Sequence, residues 1–229
     1  MDIIKAVLLE PVGCLAEFQP DEFDRAAFDL FGTSPDAEAT GSQAYWGLLG
    51  LMQQGALSAD NAARLEALEL QAVEHAELYE DVRFALEELK SLRVAAILVS
   101  SLSRAALARF IERHALADLI AGSFSRDDTG GVMAAPLRAA VAQAGLAPAQ
   151  VIALADSAPA LDMIKRLGLN AMLMINDYDE GRALAERNPA GGIVSLAELP
   201  DALRLIEQRS GIRAPSRAPV APFELFDPS

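Results

Sequence analysis

Three residues in this chain stand where open α/β proteins do chemistry. Glu10 follows a hydrophobic run, residues 3–9, in which six of seven side chains are apolar. Ser100 follows a second such run at 94–99, and Asp156 follows a third at 151–155. Continuous apolar runs of this length read as strands buried on both faces of a parallel sheet. Ligands in such sheets bind outside the carboxyl ends of the strands. Two carboxylates and a hydroxyl at neighbouring strand tips have the chemistry to hold Mg²⁺ and an anion. The bland alternative is that these residues only end their strands, with the carboxylates hydrogen-bonded to loop N–H groups.

The loop after Glu10 contains Pro11, Gly13 and Cys14. Pro11 cannot continue a ladder and pushes Glu10 toward an extended conformation, and Gly13 permits a turn that a side chain would hinder. Cys14 is the one cysteine. A catalytic thiolate needs a base or a positive environment, and the only histidines, His75 and His114, fall on helical segments away from the strand ends. Cys14 therefore reads as a small buried apolar residue.

Residues 17–80 read as wholly helical. Phe23, Ala27, Leu30 and Phe31 form one stripe, Tyr45, Leu48, Leu49 and Met52 a second, and Ala62, Leu65 and Leu68 a third after a Ser58 cap. The aromatic residues Phe23, Phe28, Phe31, Tyr45 and Trp46 are expected to form the core of this insertion. Beyond it, helices at 82–90, after Ser103, from Pro136 to Gly145, after Ser157 and at 199–208 alternate with strands. Short strands are expected near 119–124 and 193–194, and a longer one at 171–175. Residues 125–132 read as a polar loop, and the acidic groups at 127–128 and 177–180 as loop decoration. The alternation predicts an α/β fold, a Rossmann-like core with a parallel sheet and right-handed crossovers. The expected division is a core of residues 1–16 and 81–209, an all-helical cap at 17–80, and a proline-rich tail at 210–229.

The chain has 229 residues, 52% of them apolar, enough to bury a sizeable core. Its net charge is −14, and residues 17–90 hold 16 acidic against 4 basic side chains. A field of this sign disfavours nucleic acid and anionic membrane as partners. No apolar run approaches about 18 residues, and no basic leader precedes the first strand, so a cytoplasmic location is expected. Lysine is scarce: Lys5, Lys90 and Lys165 are all there is.

The three strand ends, together with LYEDVRFALEELKSLRVAAILVSS (78–101), APLRAAVAQAGLAPAQVIALADS (135–157) and MIKRLGLNAM (163–172), resemble the haloacid dehalogenase-like superfamily. The resemblance is to the phosphatase and phosphoglucomutase-like branch with a helical cap after the first strand, and it covers residues 3–208. It implies two aspartates two residues apart, one a nucleophile and one an acid and base; Glu10 and Val12 stand there instead. The family's threonine is matched by Cys14 and its serine or threonine by Ser100. Its lysine falls at Met133. Asp156 keeps the first acidic residue of the last motif, and Ala160 stands where the second belongs. Asp162, two residues farther along a helix, points elsewhere.

These departures bear on one concerted reaction. Misplacing a nucleophile by about 1 Å can cost about 100-fold, and losing the acid and base typically costs about 10²–10⁴-fold. Met133 cannot stabilise phosphoryl charge. The expectation is a pseudo-phosphatase that acts as a binding, scaffold or regulatory protein, with a protein partner or a second copy of itself. The alternatives are a weak or altered Mg²⁺-dependent phosphohydrolase using Glu10 and Asp156, and a small-ligand sensor in the former active-site cleft. No resident cofactor is expected beyond weak Mg²⁺ binding by Glu10, the Val12 carbonyl and Asp156. Arg104, Arg126 and Arg138 are the cations that could reach the site from elsewhere.

The tail carries Phe223, Leu225 and Phe226 after a run of prolines, a pattern suited to docking on this chain or on another. Light scattering of the full chain and of one ending at Ser210 tests that expectation. A lower mass or lost partner binding on truncation supports docking in trans, and unchanged behaviour removes it.

Overall fold

The computed structural model describes residues 4–33, 38–55 and 57–212. In chain order the elements are β1 (Ala6–Leu9), β2 (Ala16–Glu17), α1 (Asp21–Phe31), α2 (Gly41–Met52), α3 (Ala59–His75), β3 (Glu77–Leu78), α4 (Val82–Ser91), β4 (Ala95–Val99) and α5 (Arg104–Arg113). They continue with β5 (Gly122–Phe124), α6 (Arg126–Thr129), α7 (Ala134–Ala144), β6 (Val151–Ala155), α8 (Ala158–Arg166), β7 (Asn170–Met174), α9 (Tyr178–Ala185), β8 (Gly191–Ile193) and α10 (Leu199–Ile212).

Six strands form a parallel sheet in the order β5-β4-β1-β6-β7-β8. Every residue of β1 and β6 is buried, as their unbroken apolar runs require of strands covered on both faces. β1 pairs with β4 on one side and β6 on the other. The chain moves outward from β1 to β5 and then crosses back to β6, so β1 lies at a topological switch point. That pairing places Glu10, Ser100 and Asp156, each immediately after its strand, at adjacent tips. The α/β fold with its inserted helical cap is the one expected from the sequence.

Several local expectations are corrected. The segment leading into and out of the cap is not wholly helical: β2 and β3 form a short antiparallel ribbon, with Ala16 opposite Leu78 and Glu17 opposite Glu77. Residues 125–132 are not only loop. Ser125 and Asp128 form a capping box that starts α6, so the acidic pair at 127–128 lies in a first helical turn. The acidic run at 177–180 starts α9, with the Asp177 side chain accepting from the Glu180 N–H. Carboxylates in a first turn satisfy free N–H groups and the helix dipole. α10 continues to Ile212, past the expected end at 208, and so overlaps the segment assigned to a non-helical tail. Phe223, Leu225 and Phe226 lie outside the described residues. No helix among the described residues is long and apolar enough to cross a membrane.

The cap is fixed to the core by aromatic packing and by one buried ion pair. Phe18 stacks on Phe110 of α5 with ring centroids 6.0 Å apart and also meets Phe23 of α1 at 5.9 Å. Glu69 of α3, only 2% exposed, pairs with Arg126 of α6 and accepts a 3.0 Å hydrogen bond from the Ser103 N–H. Arg126 also donates to the Ser101 carbonyl at 2.9 Å. Burial pushes the Glu69 carboxyl up, and the Arg126 guanidinium pulls it back. Removing one member of such a pair leaves a charge without a partner, which typically costs about 3–5 kcal/mol. Glu69→Ala should therefore lower the unfolding free energy by about 3 kcal/mol or more, while Glu69→Leu with Arg126→Met should recover most of that loss. Urea denaturation of the three proteins checks this.

Candidate functional site

The turn after β1 is set by three residues. Pro11 starts it, Val12 is extended at φ −72° and ψ 119°, and Gly13 takes φ +78°. The Ala16 N–H then closes onto the Pro11 carbonyl. A Cβ on Gly13 would lie 1.9 Å from Asp156 Oδ2, so glycine is needed for conformation and for closeness alike. The Asn176 side chain, beyond β7, donates to the Gly13 carbonyl at 2.7 Å and ties the loop to the next strand tip.

Glu10 and Asp156 are both buried, at 9% and 6% exposure. Each of their four oxygens has a side-chain donor. Ser100 Oγ donates to Glu10 Oε1 at 2.5 Å, and Tyr45 Oη donates to Glu10 Oε2 at 3.1 Å. Trp46 Nε1 donates to Asp156 Oδ1 at 3.1 Å, and Ser42 Oγ donates to Asp156 Oδ2. Ser42, Tyr45 and Trp46 all lie on α2. The helix starts where it does because Thr40 and Gln43 form a capping box. Positions 42, 45 and 46 then fall on one face at helical spacing. Gly41 allows the helix start to sit against the Phe18 carbonyl, which a Cβ would strike at 1.8 Å.

These partners correct two expectations. The carboxylates are held by side chains of the cap rather than by loop N–H groups alone. Tyr45 and Trp46 belong to the cap core, Tyr45 packing on Phe23 at 5.2 Å, but their polar ends serve the strand tips. The signal was present in residue type, since a buried Tyr or Trp needs a partner for its O–H or N–H. Spacing within the cap could not say that the partner lay on the other side of the cap–core boundary.

The remaining sequence candidates are placed as follows. Val12 is fully buried, and Ala160 lies in the first turn of α8 at 2% exposure. Met133 takes φ +57°, and its N–H is held by Ser101 Oγ at 2.6 Å. The Cys14 thiol is fully buried, and burial with the neighbouring Asp156 and Glu10 pushes it well up, so it stays a thiol. His75 contacts Glu22 at 2.8 Å, and His114 lies at the end of α5 against Phe110. Among the arginines, Arg126 is committed to Glu69 and Ser101, Arg104 pairs with Asp128 at 2.7 Å, and Arg138 is exposed on α7.

Burial pushes the Glu10 carboxyl up to about 8, against hydrogen bonds from Ser100 and Tyr45, and the Asp156 charge adds to the rise. Burial also raises Asp156, against its hydrogen bonds from Ser42 and Trp46. In this arrangement the site does not fit Mg²⁺. The ion takes oxygen ligands in near-octahedral geometry and keeps several waters, whereas a Trp N–H only donates. The space left beside Glu10, among Trp46, Ser100, Met133 and Ala160, is about 20 Å³, room for about one water. Among the described residues no three acidic, histidine or cysteine side chains are grouped as a metal ligand set.

A family model described as haloacid dehalogenase-like hydrolase matches residues 41–174. Curated proteins give no match. Solved structures share the fold at low identity. A putative phosphoglycolate phosphatase from Lactobacillus plantarum superposes with a TM-score of 0.68 at 17% identity, covering 87% of this chain and 99% of its own. A HAD phosphatase from Thermococcus onnurineus gives 0.60 at 20% identity, covering 87% and 98%. An L-2-haloacid dehalogenase from Xanthobacter autotrophicus, solved with chloropropionic acid covalently bound, gives 0.59 at 15% identity, covering 88% and 99%.

The Glu10 environment predicts a pH dependence of stability with a definite sign. The folded carboxyl titrates near 8 and the unfolded one near about 4.3. Between these values the unfolded chain releases a proton that the folded chain keeps. The contribution of Glu10 is therefore full below about pH 4 and lost as pH rises to about 8, with a slope of up to about 1.4 kcal/mol per pH unit. Glu10→Gln should flatten the fall in stability over that window by about that slope. Chemical denaturation at several pH values measures it, and an unchanged slope would refute the assignment.

Proposed function

The chain belongs to the haloacid dehalogenase-like hydrolase family, and from that premise we propose that it is a catalytically silent member that works by binding. Its role is that of a scaffold or regulatory protein, with a protein partner or a second copy as its target. The observation that carries this reading is the occupation of the strand-tip carboxylates by α2. Ser42, Tyr45 and Trp46 stand where a metal ion and a phosphoryl group would have to enter.

The chemistry of the replaced residues supports it. A protonated Glu10 is a poor nucleophile, since attack needs the carboxylate. Val12 offers no proton to a leaving group, and Met133 brings no positive charge to a transferring phosphoryl group. Arg126, a half-buried guanidinium near Met133 in sequence, is already paired with Glu69. An anionic substrate entering this pocket would meet two carboxyl groups and no free cation from those positions, so its desolvation would go uncompensated.

A screen of the full chain against phosphomonoesters, with and without Mg²⁺, tests the proposal. The expected result is turnover indistinguishable from that of Glu10→Ala under all conditions. Metal-dependent turnover that Glu10→Ala abolishes would overturn it in favour of a weak phosphohydrolase using Glu10 and Asp156.

A further inference from the structure

The small space beside Glu10 has one wall that solvent reaches. Of the described residues that line it, all are buried except Met133, which is partly exposed. Met133 therefore stands between solvent and the sealed strand tip. A second thioether, that of Met163, lines the same space but is only 6% exposed.

Met133 is also held in an unusual way. Its backbone takes φ +57° and ψ −98°, in a half of conformational space that a residue with a Cβ seldom enters. Strained backbone of this kind persists only where its surroundings hold it, and it clusters at functional positions. Here the Met133 N–H donates to Ser101 Oγ at 2.6 Å, the Ser101 N–H donates to Tyr45 Oη at 3.0 Å, and Tyr45 donates to Glu10. Trp46, the next residue of α2, lines the same space as Met133. A change at Met133 thus reaches α2 by two routes, through the Ser101 hydrogen bonds and across the pocket.

The chemistry open to a solvent-reached thioether is oxidation. Hydrogen peroxide transfers one oxygen atom to the sulfur: the peroxide O–O bond breaks, an S–O bond forms, the sulfur is oxidised by two electrons and water leaves. The space beside Glu10 is about 20 Å³, room for about one water and so for the one oxygen atom that the reaction adds. A sulfoxide oxygen accepts hydrogen bonds far better than a thioether sulfur does. Ser100 and Glu10 border that space with groups able to donate, and both now bond to one another.

We propose that Met133 is an oxidation site, and that its sulfoxide, by competing for the hydrogen bonds around Glu10, loosens the seal that α2 makes on the strand tips. The inference goes beyond the binding role proposed above and does not depend on it, since it is read without a partner and without a substrate.

Treatment of the full chain with hydrogen peroxide, followed by peptide mass spectrometry and by the fluorescence of Trp46, the one tryptophan, is the test. Sulfoxide is expected at Met133 ahead of Met163, Met172 and Met174, each at most 6% exposed. The Trp46 emission should move to the red in step with oxidation of Met133 and return when a methionine sulfoxide reductase restores the thioether. Met133→Leu should abolish the shift. Met52→Leu, which removes the other partly exposed methionine of the described residues, and Cys14→Ala, which removes the thiol, should both leave it in place. Oxidation of Met133 no faster than that of the three buried methionines would overturn the proposal. So would an unchanged emission once Met133 is fully oxidised, a shift that survives Met133→Leu, or one that reduction does not reverse.

Discussion

Two carboxyl groups buried side by side without a cation form the constraint around which this protein is arranged. Glu10 and Asp156 sit on adjacent strand tips at 9% and 6% exposure, and the Asp156 charge disfavours ionisation of Glu10. Burying such groups is tolerable only when their oxygens are hydrogen-bonded and at least part of the charge is removed. The structure meets both conditions. Side-chain hydrogen-bonding groups meet all four oxygens, and burial raises the Glu10 carboxyl to about 8. Three of those groups come from one helix of the cap, so the polar chemistry of the site also decides how the cap sits.

The residues that stand where the resemblance implies reactive groups act in the same direction. Val12, Met133 and Ala160 are apolar where the resemblance implies an acid and base, a lysine and a second acidic residue. Each exchange puts an apolar side chain where a charged one is implied and so adds to desolvation, the largest cause of the raised Glu10 carboxyl. A tyrosine and a tryptophan suit the gap that remains. Their rings fill apolar volume, and their O–H and N–H groups satisfy the carboxyl oxygens. The Tyr45 hydroxyl accepts the Ser101 N–H at 3.0 Å as well as donating to Glu10, so it also satisfies the backbone just beyond β4.

Much of this was legible in the sequence because it is carried by local patterns. The apolar runs ending in Glu10, Ser100 and Asp156 mark three buried strands and their tips, and Ser103 and Ser157 each cap the helix expected to follow. The parallel order follows from the alternation of helix and strand. What escaped was either short or long-range. The two-residue strands β2 and β3 carry no periodicity to detect, and the acids at 177–180 read as loop because their role in starting α9 depends on backbone geometry. The contacts from Ser42 and Trp46 to Asp156 span 114 and 110 residues. Helical spacing placed the two side chains near one another but could not specify what they faced.

The sealed pair and the open cleft beside it, about 620 Å³ and lined by Glu17, Asp81, Asp156, Asp177 and Glu180, follow from one distribution of charge. Asp156 belongs to both: its oxygens are held by α2, and its residue lines the larger space. With no lysine at the position of Met133 and Arg126 spent on Glu69, the negative potential of this end of the sheet is not cancelled at its source. It extends to the acids around the cleft. An enzyme that handles phosphate must reverse that potential where the phosphoryl group sits, because stabilising its charge is most of the catalytic task. On the proposed reading, a chain that leaves the potential negative and closes the strand-tip carboxyls with its own side chains has not met that requirement.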